Sequence, residues 1–177
     1  MANSRSTLMA NLLAKPITMN DVHEARGQVR VEIAEVVSIA GDAAGHLYVL
    51  TRLKATDRIL AIFVQNTADA GWTDCNIGPW AAGDWVTADQ VVVDADVLVD
   101  GLALTGARDD LEDAGSMPLG SGANALAPTL AWKAIWEVAG LAAAPDPGTQ
   151  YDIVMQSIGD PAGGGTARFM FLVATGD

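Results

Sequence analysis

Between residues 45 and 66, GHLYVLTRLKATDRILAIFVQN, β-branched and aromatic residues fill two arms separated by a polar break. Such side chains fit a pleated surface, so the pattern predicts strands over 47–53 and 58–65, joined through Lys54-Ala55-Thr56-Asp57. In the first arm Leu47, Val49, Thr51 and Leu53 share one face, and Tyr48, Leu50 and Arg52 the other. In the second, Ile59, Ala61 and Phe63 oppose Leu60, Ile62 and Val64. Both faces are largely apolar, which places the two arms, read as a hairpin, centrally among strands that must cover them.

The flanking sequence supplies those strands. Residues 30–40 alternate, with Val31, Ile33 and Glu35 against Glu32, Ala34 and Val36, and end at Gly41-Asp42. Residues 72–77 predict a short strand closed by Gly78-Pro79, because proline cannot donate to a ladder. Residues 91–104, VVVDADVLVDGLAL, read as a strand entering a loop at Asp94-Ala95-Asp96, then a second strand or a helical turn. Residues 107–124, rich in Gly, Asp and Ser, read as a long surface loop. Residues 151–158 and 166–174 read as a closing hairpin across Gly163-Gly164-Gly165.

One helix is expected, over 128–139. Pro128 suits its first turn and Gly140 the position just past its end. Trp132, Ile135, Trp136 and Ala139 recur at helical spacing, which makes Trp132, Ile135 and Trp136 candidates for the core or for a subunit contact. Roughly seven or eight strands without repeating βαβ units give a mainly β protein, an antiparallel sandwich.

Residues 1–20 show neither a helical stripe nor strand alternation, and Pro16 would end any turn built on Leu8, Leu12 and Leu13. They read as an extended arm, with a frayed terminus as the alternative. The division is an arm over 1–28 and a sandwich domain over 29–177. Asn11 interrupts the apolar patch of this segment, so a secretory signal is not expected.

Charge changes the picture in two ways. The chain of 177 residues carries a net charge of −12, which phosphates would repel; neither a nucleic acid nor an anionic membrane is an expected partner. The charge is also uneven: residues 1–58 hold seven Lys/Arg against six Asp/Glu, and residues 59–177 hold three against sixteen. Arg5 and Lys15 stand in an N-terminal stretch free of acids, so a mildly basic arm adjoins an acidic body. Charged residues are 18% of the chain, below the ~25% of ordinary domains, which points to surface covered by other subunits or to a count inflated by Ala and Gly.

Candidate chemistry is sparse. His23 and His46 lack metal-ligand spacing, and the single Cys75 has no CxxC partner and forms no internal disulfide. Its bland role is a small apolar residue, and its sharp one a nucleophile paired with a histidine. Gly163-Gly164-Gly165 lacks the Lys and Ser/Thr of a phosphate loop. Asp94, Asp96 and Asp100, and the cluster Asp109, Asp110, Glu112 and Asp113, read as solvated acidic faces or as oxygen ligands for structural Ca²⁺, without the EF-hand pattern. Trp72, Trp80 and Trp85 surround Gly/Pro-rich loops and suit packing, a subunit contact or a sugar platform. No catalytic, cofactor or metal site emerges.

The succession LYVLTRLKATDRILAIFVQN, VDADVLVDGLAL, AWKAIWEVAGL and DPGTQYDIVMQSIG, spread over about residues 29–174, resembles the head decoration (cement) proteins of tailed bacteriophages. The loop at 66–72 and the stretch 72–85 depart from that pattern. The resemblance implies a β-sandwich or jelly-roll body without enzymatic activity or cofactor. It also implies a homotrimer on the outer capsid surface of the virion, with the major capsid protein as partner. Arg5, Leu8, Leu12, Leu13, Lys15 and Ile17 are then the candidate capsid contacts. A carbohydrate- or receptor-binding sandwich on the virion is the alternative.

Overall fold

Alternation of inward and outward side chains becomes, among the described residues, eight strands: β1 (Val29–Val37), β2 (Leu47–Lys54), β3 (Arg58–Asn66), β4 (Cys75–Ala81), β5 (Val99–Leu102), β6 (Arg108–Asp113), β7 (Gln150–Ser157) and β8 (Thr166–Ala174). The computed structural model describes residues 28–83, 91–114, 133–146 and 148–175. β8 shows the rule most clearly. Ala167, Phe169, Phe171 and Val173 are fully buried, while Arg168, Met170 and Leu172 between them face outward.

The strands form two four-stranded sheets in the orders β1-β8-β3-β6 and β2-β7-β4-β5. All pairings are antiparallel and nested: β1 with β8, β2 with β7, β3 with β6 and β4 with β5. The contacts of β3 with β8 and of β4 with β7 close each sheet. The antiparallel sandwich is as expected from the sequence, and its winding is that of a jelly roll, one of the two bodies the resemblance implied. Between the sheets, Ile62, Val64, Phe169 and Phe171 meet Leu53, Ile77, Ile153 and Met155 in one core. Each such side chain contributes about 1.5–3 kcal/mol by leaving water.

Two expected hairpins are not hairpins. β2 and β3 lie in different sheets, and so do β7 and β8. The 54–57 connection is an arch closed by the Asp57 N–H on Lys54 O (3.0 Å), and its other backbone groups bond outward. Ala55 N–H donates to Thr149 O (2.9 Å), while Asp57 O and Ala55 O accept from Ile135 (2.9 Å) and Trp136 (3.1 Å). No Asn-Gly or Asp-Gly pair is present to fold these arms directly onto each other.

Helix α1 (Ile135–Val138) is a single turn docked on that arch; positions 128–132, including Trp132, lie outside the described residues. The Glu137 carboxylate accepts the Ala134 N–H (2.9 Å) at its start. Ile135 and Val138 enter the core, whereas Trp136 is half-buried against it. Because the turn meets the body by its first N–H groups, Val138 takes an inward place that the spacing had given to Trp136.

Two further expectations change. Residues 108–113, read as part of a loop, form β6, because β3 supplies a pairing partner that the charged sequence RDDLED does not advertise. β4 runs through Gly78-Pro79 instead of stopping there. Pro79 O faces the 91–97 segment, accepting from Val93 (3.3 Å) and Asp94 (3.2 Å), so the missing proline N–H falls where no regular ladder needs it. A Cβ on Gly78 would lie 1.9 Å from Asp94 O, which explains glycine at the point where that segment crosses β4.

Candidate functional site

The sequence candidates for chemistry are mostly absorbed into the scaffold. Cys75 is fully buried on β4, and burial, more than the nearby Asp74 and Asp69, pushes its thiol up to about 12. Almost none of it is the reactive thiolate at neutral pH. His46 packs against Tyr48 with ring centroids 4.7 Å apart and planes tilted by 56°, and faces Asp42 at 3.6 Å. The backbones of His46 and Cys75 flank Ser157 of β7 from opposite sides, so a whole strand separates them. His23 lies outside the described residues.

The acidic candidates separate. Asp100 is exposed on β5, and Asp96 is exposed in the preceding loop. Burial first, and then its hydrogen bond with Asp96, raise the Asp94 carboxyl above the ordinary range. Asp109, Asp110 and Glu112 are exposed on the outermost strand β6, where Glu112 pairs with Arg108 at 3.0 Å. Among the described residues no three His, Cys, Asp or Glu side chains are grouped to hold a metal ion. Trp72 and Trp80 are buried, so neither offers a face for a sugar; Trp85 lies outside the described residues.

Asp69 takes four hydrogen bonds, and its role is structural. Its buried carboxylate accepts from the Ser38 hydroxyl and from the N–H groups of Gly71 (2.8 Å), Ala162 (2.9 Å) and Gly163 (3.2 Å). Three loops at one end of the sandwich are thereby tied to one side chain. Burial alone would raise its pKa, but the Ser38 hydroxyl and the three N–H groups outweigh it and hold the carboxyl below its ordinary value. The glycine triplet belongs to this clamp. A Cβ on Gly165 would fall 2.5 Å from that of Asp69, and Gly163 has φ of 88° with Ala40 against it. This crossing between sheets is what the sequence showed as a hairpin loop.

A polar cleft of about 370 Å³ opens between Gln65, Asn66, Thr67, Arg108, Asp109, Thr166 and Arg168. Its two arginines are already engaged, Arg108 with Glu112, Asn66 and Ala103 O, and Arg168 with Glu35.

The surface that stands out is the outer face of β1. Val29, Val31, Ile33 and Val37, with Ile39 just beyond, leave half or more of their surface exposed; Ile33 reaches 74%. The strand's polar side is the inner one. Arg30 reaches inward to the fully buried Asp57 (2.7 Å), and Ser38 bonds Asp69, while Ala34 and Val36 fill the core edge. Cross-strand rows carry the apolar surface onward: Val31 lies opposite Leu172, and Ile33 opposite Met170, which is opposite Phe63. Leu172, Met170 and Phe63 are half-buried. The outer side of the second sheet is different, since Asp152 and Val154 are fully buried there and Asp152 takes Arg52 in a two-pronged pair at 2.6 and 2.9 Å. The β1 face was not singled out from the sequence. Its signal was available: Val29, Val31, Ile33 and Val37 share one side of the strand, and Arg30 and Glu32 the other.

Of the remaining sequence candidates, Ile135 is in the core and Trp136 at its margin, whereas Arg5, Leu8, Leu12, Leu13, Lys15 and Ile17 lie outside the described residues. No family model matches the chain, and no curated protein matches it. Two solved structures do. A chain of the cyanophage Pam1 capsid asymmetric unit is 11% identical, with a TM-score of 0.50 over 84% of this chain and 85% of its own. A chain from the capsid of Ralstonia phage GP4 is 14% identical, with a TM-score of 0.51 over 91% of this chain and 93% of its own. At such identities the likeness is one of fold, and it extends over most of each chain.

Proposed function

We propose that this chain is a non-enzymatic decoration (cement) protein of a tailed-phage head. In this reading it binds the outer surface of the capsid as a homotrimer, contacts the major capsid protein and stabilises the shell. The observation that carries the reading is the jelly roll shared, nearly end to end, with a chain of a phage capsid. The scaffold supports it: the thiol is buried, the Asp69 carboxylate clamps loops, and an apolar sheet face is left open among the described residues.

Within this proposal residues 29–177 are the body and residues 1–28 the arm that meets the head. Leu8, Leu12, Leu13 and Ile17 supply apolar anchors, and Arg5 and Lys15 supply the charge that an acidic neighbour attracts. Ordering such a segment on a partner costs entropy and gives affinity only through the contacts it makes there. Electron microscopy of phage particles with and without this protein tests the reading. Added density on the outer head surface is expected; density confined to the tail or the head interior would overturn it.

A further inference from the structure

We infer that the outer face of β1 is the surface through which copies of this chain meet. The inference rests on the homotrimer reading above and adds the residues that make the contact. Its first ground is inverted polarity. In a sheet with one wet face the apolar side of a strand turns to the core, and a one-residue shift would have turned these residues inward. Here the larger apolar side chains point out and Arg30 points in, held by buried Asp57.

The second ground is the strand's edge. β1 is outermost in its sheet and pairs with β8 over nine residues without a register shift. Open edges are usually blunted by shortness, bulges, proline or charge. The other three outer strands have these defences. β2 carries a bulge, β5 is four residues long with an irregular register, and β6 is mostly charged and bulged. β1 has neither bulge nor proline, and its charged residues are paired within the chain, Arg30 with Glu32 and Asp57, and Glu35 with Arg168.

Area and charge identify the occupant. The five exposed apolar residues offer on the order of 500 Å² of surface, near the upper end of what an isolated soluble protein leaves open. With half-buried Met170, Leu172 and Phe63 the face reaches about 600–700 Å², at the lower end of the ~600–1,000 Å² per partner of a standard interface. A copy of this chain brings a charge of −12 to another copy, so two copies repel over most of their surfaces. The stripe is an exception. Its only charged side chain is Glu35, which is neutralised across the strands by Arg168. Around a closed axis the stripe of each copy faces its neighbours, with Ile33 near the centre.

The test is the solution mass of the full chain by light scattering coupled to gel filtration, for wild type, Ile33→Asp and Leu111→Asp. Leu111 is the control, an exposed apolar residue on β6 at the opposite edge of the same sheet. Wild type and Leu111→Asp are expected to run as trimers. Ile33→Asp is expected to fall to one third of that mass with its thermal transition retained. Should Ile33→Asp fail to fold, Ile33→Thr keeps strand propensity and is expected to weaken self-association at least tenfold. A trimeric Ile33→Asp, or an Ile33→Thr as tightly associated as wild type, would overturn the inference. So would a wild-type monomer, including one that associates only after removal of residues 1–27, which would assign the face to that segment. Binding to phage heads separates the two readings. A wild-type trimer that ignores heads refutes the capsid role and leaves the β1 contact standing, whereas a monomer that binds heads does the reverse.

Discussion

Replacing Asp69 with alanine removes one acceptor from four donors, and the expected cost can be worked out donor by donor. Ser38 can turn its hydroxyl to Gly165 O, already 3.3 Å away, and the exposed Ala162 can give its N–H to water. Gly71 and Gly163 are half-buried and have no such substitute among their described bonds. Leaving a buried donor unsatisfied costs about 1–3 kcal/mol, so with two such donors Asp69→Ala is expected to lose about 2–6 kcal/mol at pH 7 in urea unfolding. The pH dependence follows from the depressed pKa. Above the ordinary value of 3.8 the carboxylate is ionised in both states and its stabilisation is complete. That stabilisation is lost as the pH falls below 3.8 through the lower folded-state value. Asp69→Asn has no proton to take up at this position. The stability gap between wild type and Asp69→Asn should therefore be constant from pH 7 to 5 and shrink towards pH 3. A cost below about 1 kcal/mol for Asp69→Ala, or a gap that does not change with pH, would refute the clamp.

Gly78→Ala places a methyl group 1.9 Å from Asp94 O, and is expected to cost about 3 kcal/mol or more, read from soluble yield and the urea midpoint. Trp136→Ala should cost about 1–3 kcal/mol in the same assay, less than the ~3–5 of a fully buried tryptophan, because this one is half-buried. Deleting residues 1–27 should move Tm by less than about 2 °C. The same deletion should lower occupancy on phage heads at least tenfold; equal occupancy would give the head contact to the β-body.

The class of the fold was legible in the chain because strand alternation is a local property. Ala167, Phe169, Phe171 and Val173 face one way whatever partner lies beside them, and the same holds for Ile62 and Val64. The inertness of Cys75 was also within reach, since a lone cysteine in an apolar strand is usually packing.

Pairing was not legible, because a strand's pattern says which side is apolar but not which neighbour it bonds. The stretches at 47–66 and 151–174 look like hairpins along the chain, yet each crosses between sheets, with Asp57 and Asp69 securing the crossings. β6 escaped notice for a related reason: a charged outer strand earns its place from β3, not from its own residues. The outward face of β1 depended most on tertiary structure. Sequence pattern alone would bury Val29, Val31 and Ile33, because burial is the default fate of an apolar side. Ion pairing of Arg30 to buried Asp57 and the bond from Ser38 to Asp69 set the opposite orientation, 27 and 31 residues apart in sequence. Only long-range contacts of that kind can turn an apolar strand face towards solvent, where a second chain can reach it.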